Sequence, residues 1–561
     1  MSNLMTDIED NVKTSYIEEI NTILNTISSN TLKSKVQSNN QDLEKEDTPK
    51  EAEINILIAL YNKKQINDLL IQVNSLKLKF PNFYYLYFLK GLALKEQGEY
   101  ENALVEIKKS LYLKPEFFEG LYEEGNINRT SKRFNEAISS YNRSLHIDPT
   151  NSKILNNIGI CYLSMSDYKN SIQYFENAIK YDQSYILAYN NLGYVLAKLG
   201  ETEKSYTNFK NATKHISNSP EIYKNLAAVD FEKGNIELAK LYFLKSLEIT
   251  PNFIYSLRAL ISICIQSPQL VDIETRKKIK SLFLINKSFK DPIILTLLII
   301  FYYSSGKRAK YDLMLSKLDE YKNLNEGKIV DKDENSLFPY ALFLKSLKNY
   351  KWPKTTNNTE SIFHIGDSHS LSFANQVFRI NNKNFKVVPK LIIGTKAFHL
   401  SQPSENRYKV LFKQNMQNIP KKSKVFCSVG EIDCRIDEGI LLHHQKTSKT
   451  LETIIKKTVY GYFNYVNEVN KITNHFLHFF SIPSPVCHKV RENKNYFQLL
   501  EIINRFNYHL KDLCLKHDYI FVDTFVITSN KNEAINKSYF CDNLHLSPSI
   551  IIEIENQINN N

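Results

Sequence analysis

The chain is poor in the residues that make backbones irregular: its 561 residues include only 15 glycines, 16 prolines and one tryptophan. So few glycines and prolines exclude a collagen-like or loop-dominated protein. Cysteine is scarce as well. The seven cysteines are spread along the chain with no C-x-x-C pair, an odd and sparse set that excludes a disulfide framework and fits a reduced compartment. There is no long block of lysine and arginine. The net charge of +12 arises from 72 basic and 60 acidic residues that are intermixed. That balance allows a weak affinity for anionic partners such as acidic glycans, and no motif points to nucleic acid. No apolar run is long enough for a membrane. The strongest, Ile293 to Tyr303, falls short of the roughly 20 residues a bilayer requires and reads as a buried helix. The first residues are polar and acidic early, unlike a signal peptide. These absences predict a soluble, cytoplasmic protein without a membrane span.

What is present is a period. Gly91, Gly125, Gly159 and Gly193 are spaced by 34 residues, and Ala227 takes the next step. Ala103, Ala137, Ser171, Ser205 and Ala239 keep the same interval, as do Ser110, Ser144, Ala178, Ala212 and Ser246. Pro81, Pro115, Pro149 and Pro251 mark the ends of units, with Gln183 and Ser217 in the two remaining places. Small residues recur where two helices approach closely, and proline recurs where a helix stops. The segment KGLALKEQGEYENALVEIKKSLYLKP, Lys90 to Pro115, carries the whole pattern. It resembles the tetratricopeptide repeat, a helix–turn–helix unit that stacks into a solenoid. The resemblance covers residues 82–251 as five clear units. Residues 52–81 read as a degenerate first unit, and residues 252–348 as degenerate or capping helices. An α-helical solenoid is therefore expected over 51–348, preceded by a polar segment, 1–50, expected to be disordered or partly helical. Asn157, Asn191 and Asn225 also keep phase. In the similar repeats of the O-GlcNAc transferase family, asparagine at this place hydrogen-bonds a peptide backbone along the groove. Either these three residues form such a peptide ladder or they are exposed asparagines in an asparagine-rich chain. Leu89 and Glu123 at the equivalent places keep any ladder short.

At 349–360, NYKWPKTTNNTE, the helical periodicity ends in a linker. Short apolar runs then alternate with amphipathic stretches. Strands are predicted at 361–365, 385–389, 424–429, 475–481 and 519–522, and helices near 369–380, 405–417, 447–472, 493–516 and after Pro548. This alternation implies a three-layer α/β domain over 361–561 with a parallel five-stranded sheet and a site beyond the C-terminal strand ends. The first strand runs into Gly366-Asp367-Ser368-His369, and Asp542-Asn543-Leu544-His545 precedes the last helix. Together these motifs resemble the first and fifth blocks of the SGNH/GDSL hydrolases, in the form associated with polysaccharide O-acyl chemistry. The resemblance implies Ser368 as nucleophile, His545 as its base and Asp542 as the group that orients the imidazole. It also implies an oxyanion donor from the backbone of Gly394.

The third block departs from the family pattern. The resemblance calls for Gly-x-Asn-Asp, with the asparagine as second oxyanion donor, whereas the chain reads Gly430-Glu431-Ile432-Asp433-Cys434-Arg435. Ile432 donates nothing, and loss of one such donor costs about 2.7–4 kcal/mol of transition-state stabilisation. Glu431, Asp433 and Arg435 are candidates to contact substrate; alternatively Asp433 and Arg435 form an ion pair that holds the loop. His364 reads as a core residue, and no spacing supports a metal site or a cofactor. The leading expectation is a serine esterase or O-acyltransferase acting on an acylated carbohydrate or other small ester, with a protein or peptide partner on the repeats. The alternative is an interaction scaffold whose SGNH-like domain binds ligand with little or no turnover.

Overall fold

The computed structural model describes residues 48–273, 275–277, 291–324, 334–354, 359–435, 439–485, 496–529 and 537–560. Nearly all of the polar segment expected at 1–50, and the middle of the 349–360 junction, lie outside these. The chain divides into two compact units, one up to Ile222 and one from Tyr223.

The first unit is a run of short antiparallel helices: α1 (Glu51–Asn62), α2 (Ile66–Lys79), α3 (Tyr84–Glu96), α4 (Tyr100–Leu113), α5 (Phe118–Thr130), α6 (Phe134–Ile147), α7 (Ser152–Ser164), α8 (Tyr168–Tyr181), α9 (Ile186–Lys198) and α10 (Thr202–His215). Each 34-residue period is one helix pair. The small-residue columns explain themselves. A Cβ on Gly125 would lie 2.5 Å from the Tyr141 ring, and one on Gly159 would lie 2.6 Å from the Phe175 ring. The first helix of each pair thus gives way to a large side chain of the second. Ala103, Ala137, Ser171 and Ser205 are fully buried at the reciprocal contact. Burying one such aromatic ring is worth about 1.5–3 kcal/mol, and the contact is repeated once per unit.

The second unit opens with four further helices of the same kind of length, α11 (Pro220–Lys233), α12 (Ile236–Ile249), α13 (Ile254–Gln266) and α14 (Pro292–Ser304), followed by α15 (Arg308–Leu324) and α16 (Glu334–Ser346). The apolar run noted above lies in α14, where Ile294, Ile299 and Ile300 are fully buried. Among the described residues no helix is long and apolar enough to cross a membrane. These helices share their core with the sheet that follows. Phe243 and Ile263 belong to one apolar cluster with Ile365, Leu411, Val425 and Leu477. Ile294, Phe343 and Leu344 belong to another with Leu371, Ala374 and Leu391.

The sheet has six strands, β1 (Glu360–Gly366), β2 (Val377–Ile380), β3 (Lys383–Leu391), β4 (Lys424–Ser428), β5 (Phe476–Phe480) and β6 (Ile520–Val522), in the order β2-β3-β1-β4-β5-β6. Five are parallel, and β2 pairs antiparallel with β3. The expectation of a purely parallel five-stranded sheet is therefore corrected to a mixed six-stranded one. The helix expected near 369–380 is replaced by a 3-10 turn at Ser368–Leu371 and the edge strand β2. The reason is local. Phe378 and Ile380 are buried while Arg379 between them is exposed, which is strand alternation. Asn381 and Asn382 both adopt positive φ, 51° and 64°, the two-residue hairpin turn for which asparagine is suited.

The central strands are buried on both faces. Val425 and Cys427 face one apolar cluster and Phe426 the other, as do Phe479 and Phe480. Helices α17 (Ala397–Ser401), α18 (Arg407–Gln417), α19 (Ile440–Gln445), α20 (Leu451–Thr473), α21 (Tyr496–Lys516), α22 (Thr524–Thr528) and α23 (Ile551–Asn560) cover the sheet. The consequence for function lies in the strand order. The chain leaves β1 for β3 on one side and then crosses to β4 on the other, so β1 is the switch point. Ligand sites of open parallel sheets form beyond the strand ends at such a point.

Candidate active site

Ser368 is the second residue after β1, the strand at that switch. Asp367 caps the 3-10 turn, accepting from the His369 backbone N–H at 2.9 Å. Gly366 makes the turn possible, because a Cβ there would collide with the Ser428 carbonyl of the neighbouring strand. Ser368 and His545 are 177 positions apart in the chain, yet His545 Nε2 lies 2.8 Å from Ser368 Oγ. His545 Nδ1 lies 2.7 Å from Asp542 Oδ2. Asp542 Oδ1 accepts from the backbone N–H groups of Leu544 and His545, at 2.8 and 2.6 Å. A carboxylate anchored in this way only accepts, so Nδ1 carries the proton and the Nε2 lone pair faces the serine. Ser368 and His545 are 5% and 6% exposed. Burial holds the His545 imidazolium below its ordinary pKa, reinforced by His369 and opposed by Asp542. Burial acts to raise Asp542, but the hydrogen bond and charge of His545 outweigh it and hold the carboxyl low.

A charged network flanks this triad. His369 Nδ1 is 3.2 Å from Asp367 Oδ1, and Nε2 is 3.2 Å from the Leu544 carbonyl. Both ring nitrogens face acceptors, the geometry of an imidazolium. Burial opposes that charge, but Asp367, Glu431 and the Leu544 carbonyl together push the His369 pKa up to about 9. Arg435 grips Glu431 with Nε at 3.1 Å from each oxygen and Nη2 at 2.7 Å from Oε2. Asp367, His369 and Glu431 are the one group among the described residues whose ligand atoms come close enough to share a cation. His369 and Arg435 already balance the two carboxylates. His369 and Glu431 also line a cleft bounded by Ser481, Ile482, Pro483 and Leu546.

The expected site residues fall into three groups. Ser368, Asp542 and His545 converge. Glu431 and Arg435 form their own fork beside them. Asp433 does not pair with Arg435: its carboxylate accepts from the N–H groups of Ala397 and Phe398, at 2.7 and 3.0 Å, tying the loop after β4 to the start of α17. Burial raises this carboxyl to about 7 against those two donors. Ile432 is buried. Gly394 has φ 69° with open space where a Cβ would project. Its neighbour Ile393 donates its N–H to Gln266 Oε1 at 3.0 Å, so α13 braces the loop. His364 is a core residue held at 2.8 Å by the Ser428 hydroxyl, and burial drops its pKa to about 3. Burial pushes the Cys541 thiol up to about 12, leaving it unreactive.

Two further residues reach the triad from α16. Phe343 is fully buried and stacks on the His545 ring, with centroids 3.9 Å apart and planes at 19°. Tyr340, one turn earlier, packs with Ile393 against the apolar core that holds Leu371, and feels the charges of Asp367 and Arg435. Burial holds this phenol far above its ordinary pKa, so it stays protonated. Sequence reasoning missed both. Their three-residue spacing shows only an apolar helix face.

In the first unit, Asn157 directs its side-chain amide to Tyr122 Oη at 3.3 Å and Asn126 Oδ1 at 3.4 Å. Asn191 is 3% exposed and donates to Asn156 Oδ1 at 2.8 Å. Asn225, in the second unit, is equally buried. The amides of Asn157 and Asn191 are thus engaged by a neighbouring helix.

Family models described as tetratricopeptide repeat match residues 84–117, 118–151, 152–185 and 220–253. The chain therefore carries tetratricopeptide repeats, a scaffold suited to protein interaction. Among solved structures it is similar to MamA at 23% identity, over 31% of this chain and 94% of that one, with a TM-score of 0.28. The C-terminal part of a TPR repeat-containing protein from Cytophaga hutchinsonii is similar at 17% identity, over 48% and 96%, with a TM-score of 0.33. YrrB, described as a TPR protein with an unusual peptide-binding site, is similar at 20% identity, over 33% and 96%, with a TM-score of 0.27. No curated protein matches the chain.

Proposed function

We propose that the α/β part of the second unit is a serine esterase or O-acyltransferase of the SGNH type, acting on an acyl ester of a carbohydrate or surface glycan. The repeats recruit a protein or peptide partner. The observation that carries the reading is the relay from Ser368 to His545 to Asp542 at 2.8 and 2.7 Å. Its position at the switch point of the sheet supports it. Ser368 Oγ attacks the ester carbonyl carbon and passes its proton to His545 Nε2, while the carbonyl π pair moves onto oxygen. Collapse expels the alcohol, which takes the proton from His545 and leaves acyl-Ser368. His545 then deprotonates either water or a sugar hydroxyl to release the acyl group. Hydrolysis and acyl transfer share this intermediate. No step calls for a cofactor.

Ile432 favours a second reading, in which the repeats are the working part and the α/β portion binds an ester without turnover. One experiment separates the two. The full chain and Ser368→Ala are offered p-nitrophenyl acetate, and Ser368 is probed with a fluorophosphonate. Turnover and labelling that vanish in the variant support the enzyme. Equal turnover in both proteins, without labelling of Ser368, rejects the nucleophile assignment.

A further inference from the structure

His545 acts on a serine 177 positions away, so the loop that carries it must be fastened to the turn that carries Ser368. That loop is closed on itself. Phe540 bridges Leu546, the Cys541 N–H donates to the His545 carbonyl at 3.0 Å, and Asp542 accepts from the Leu544 and His545 N–H groups. Its tip, Asn543 and Leu544, is exposed. Among the described residues, only two hydrogen bonds of residues 542–545 leave the loop. One is the contact of His545 with Ser368, which the chemistry breaks and remakes as the proton moves. The other joins the Leu544 carbonyl to His369 Nε2 at 3.2 Å. A carbonyl only accepts, so Nε2 carries the hydrogen. His369 is itself anchored. It is 6% exposed, and Asp367 Oδ1 lies 2.9 Å from its backbone N and 3.2 Å from its ring Nδ1. The Phe343 ring against His545 limits tilt, but two flat rings slide past each other at little cost. Sideways register has to come from a directional bond.

Resting on the enzyme reading above, we propose that His369 is a positioning residue: its bond to the Leu544 carbonyl straps the His545 loop to the nucleophile turn. Two rungs then join the segments, Ser368 to His545 and, one residue along each, His369 to Leu544. The His369 rung persists while the other is consumed. As Ser368 Oγ gives its proton to His545 Nε2 and bonds to the ester carbon, the imidazole must stay within reach to return that proton to the leaving alcohol. A displacement of about 1 Å at such a step costs about 10²-fold in rate. His369 exchanges no proton with the substrate in this scheme.

The test compares the full-length chain with His369→Leu, His369→Gln and Ser368→Ala. Both His369 variants lose the positive charge, while Gln keeps an N–H donor at the place of Nε2. Turnover of p-nitrophenyl acetate is measured at about pH 8, where the His545 imidazole is neutral in each protein. Rates are taken per serine that labels with a fluorophosphonate at completion, which removes any unfolded fraction. Hydrogen exchange of the Leu544 and His545 amides reads the loop independently of activity. His369→Leu is expected to lower kcat by about 10²-fold, to leave KM within about twofold, and to speed exchange in the loop. His369→Gln is expected to recover at least about tenfold of that loss and to restore slow exchange. With an active wild type, an unchanged kcat in His369→Leu overturns the strap alone. So does a fall in kcat without faster exchange, or an equal fall in both variants, which assigns the effect to the lost charge. A raised KM with kcat intact overturns it too, and makes His369 a substrate contact. A wild type with no Ser368-dependent turnover or labelling overturns the enzyme reading and this proposal together.

Discussion

The repeats and the α/β site solve opposite problems with similar materials. In the first unit one contact is used again and again: a small residue on one helix receives Tyr141, Phe175 or its equivalent from the next. Each copy contributes a share, and no copy is unique. Around Ser368 every group is used once. Gly366, Asp367, Ser368, His545 and Asp542 have no second copy, and they come from places 177 positions apart. The difference is between a property that is a sum and a property that is a product. Stability of the stack falls by increments, whereas a relay stops when one member goes.

The largest expected effect tests the product side. Ser368→Ala should cut ester turnover by at least about 10³-fold while leaving the thermal midpoint of the second unit nearly unchanged. A midpoint shift of many degrees would mean that Ser368 is a packing residue. Next comes Phe343→Ala, which crosses the comparison because it sits in a helix and touches the relay. Removing a fully buried ring should cost about 3–5 kcal/mol by denaturant unfolding, and turnover per folded molecule should fall as well, since the His545 ring loses the surface that orients it. Stability loss with unchanged turnover would separate α16 from the chemistry. Gly159→Ala tests the sum side. Its Cβ meets Phe175 at 2.6 Å, so a loss of about 1–3 kcal/mol is expected, with turnover per folded molecule intact.

The smallest effect is in pH. His545 must be neutral to accept the serine proton, and its folded pKa is held below 6.5 by burial and by the His369 cation. kcat/KM should therefore be flat near pH 7 and fall with an inflection below 6.5. His369→Gln removes the neighbouring positive charge, so the inflection should move to higher pH. His369 itself is raised to about 9. Its stabilising contribution is then fully present below about 6.5 and lost as pH rises through about 9. The wild-type midpoint should decline over that window more steeply than that of His369→Gln. An inflection that stays put in the variant would break the coupling between the two rings.

The same contrast governs what could be read without coordinates. Repetition is legible, because five copies of a column such as Ala103 to Ala239 reinforce one another. The five parallel strands were legible from their apolar runs, as was the pairing of a strand-end serine with a distant Asp-x-x-His. The edge strand β2 was not: four residues whose only mark is the Asn381-Asn382 turn are too few to outweigh the expectation of a helix after a strand. The partners of Asp433 and Arg435 were not legible either. Both carry charge near a strand end, and only the fold decides that one caps backbone amides while the other grips Glu431. Tyr340 and Phe343 were invisible for a different reason. Their spacing records that a helix has an apolar face, and nothing in it records what the face will meet.

The stack of Phe343 on His545 also orders events in time. Translation proceeds from the amino terminus, so α16 leaves the ribosome before any strand of the sheet exists. Its apolar face must wait while the whole sheet is made, until the Asp542–His545 loop arrives. The relay is thus assembled only after the last crossover is in place. A nascent chain holds Ser368 and its covering helix long before it holds His545, the residue that completes the hydrogen-bonded chain.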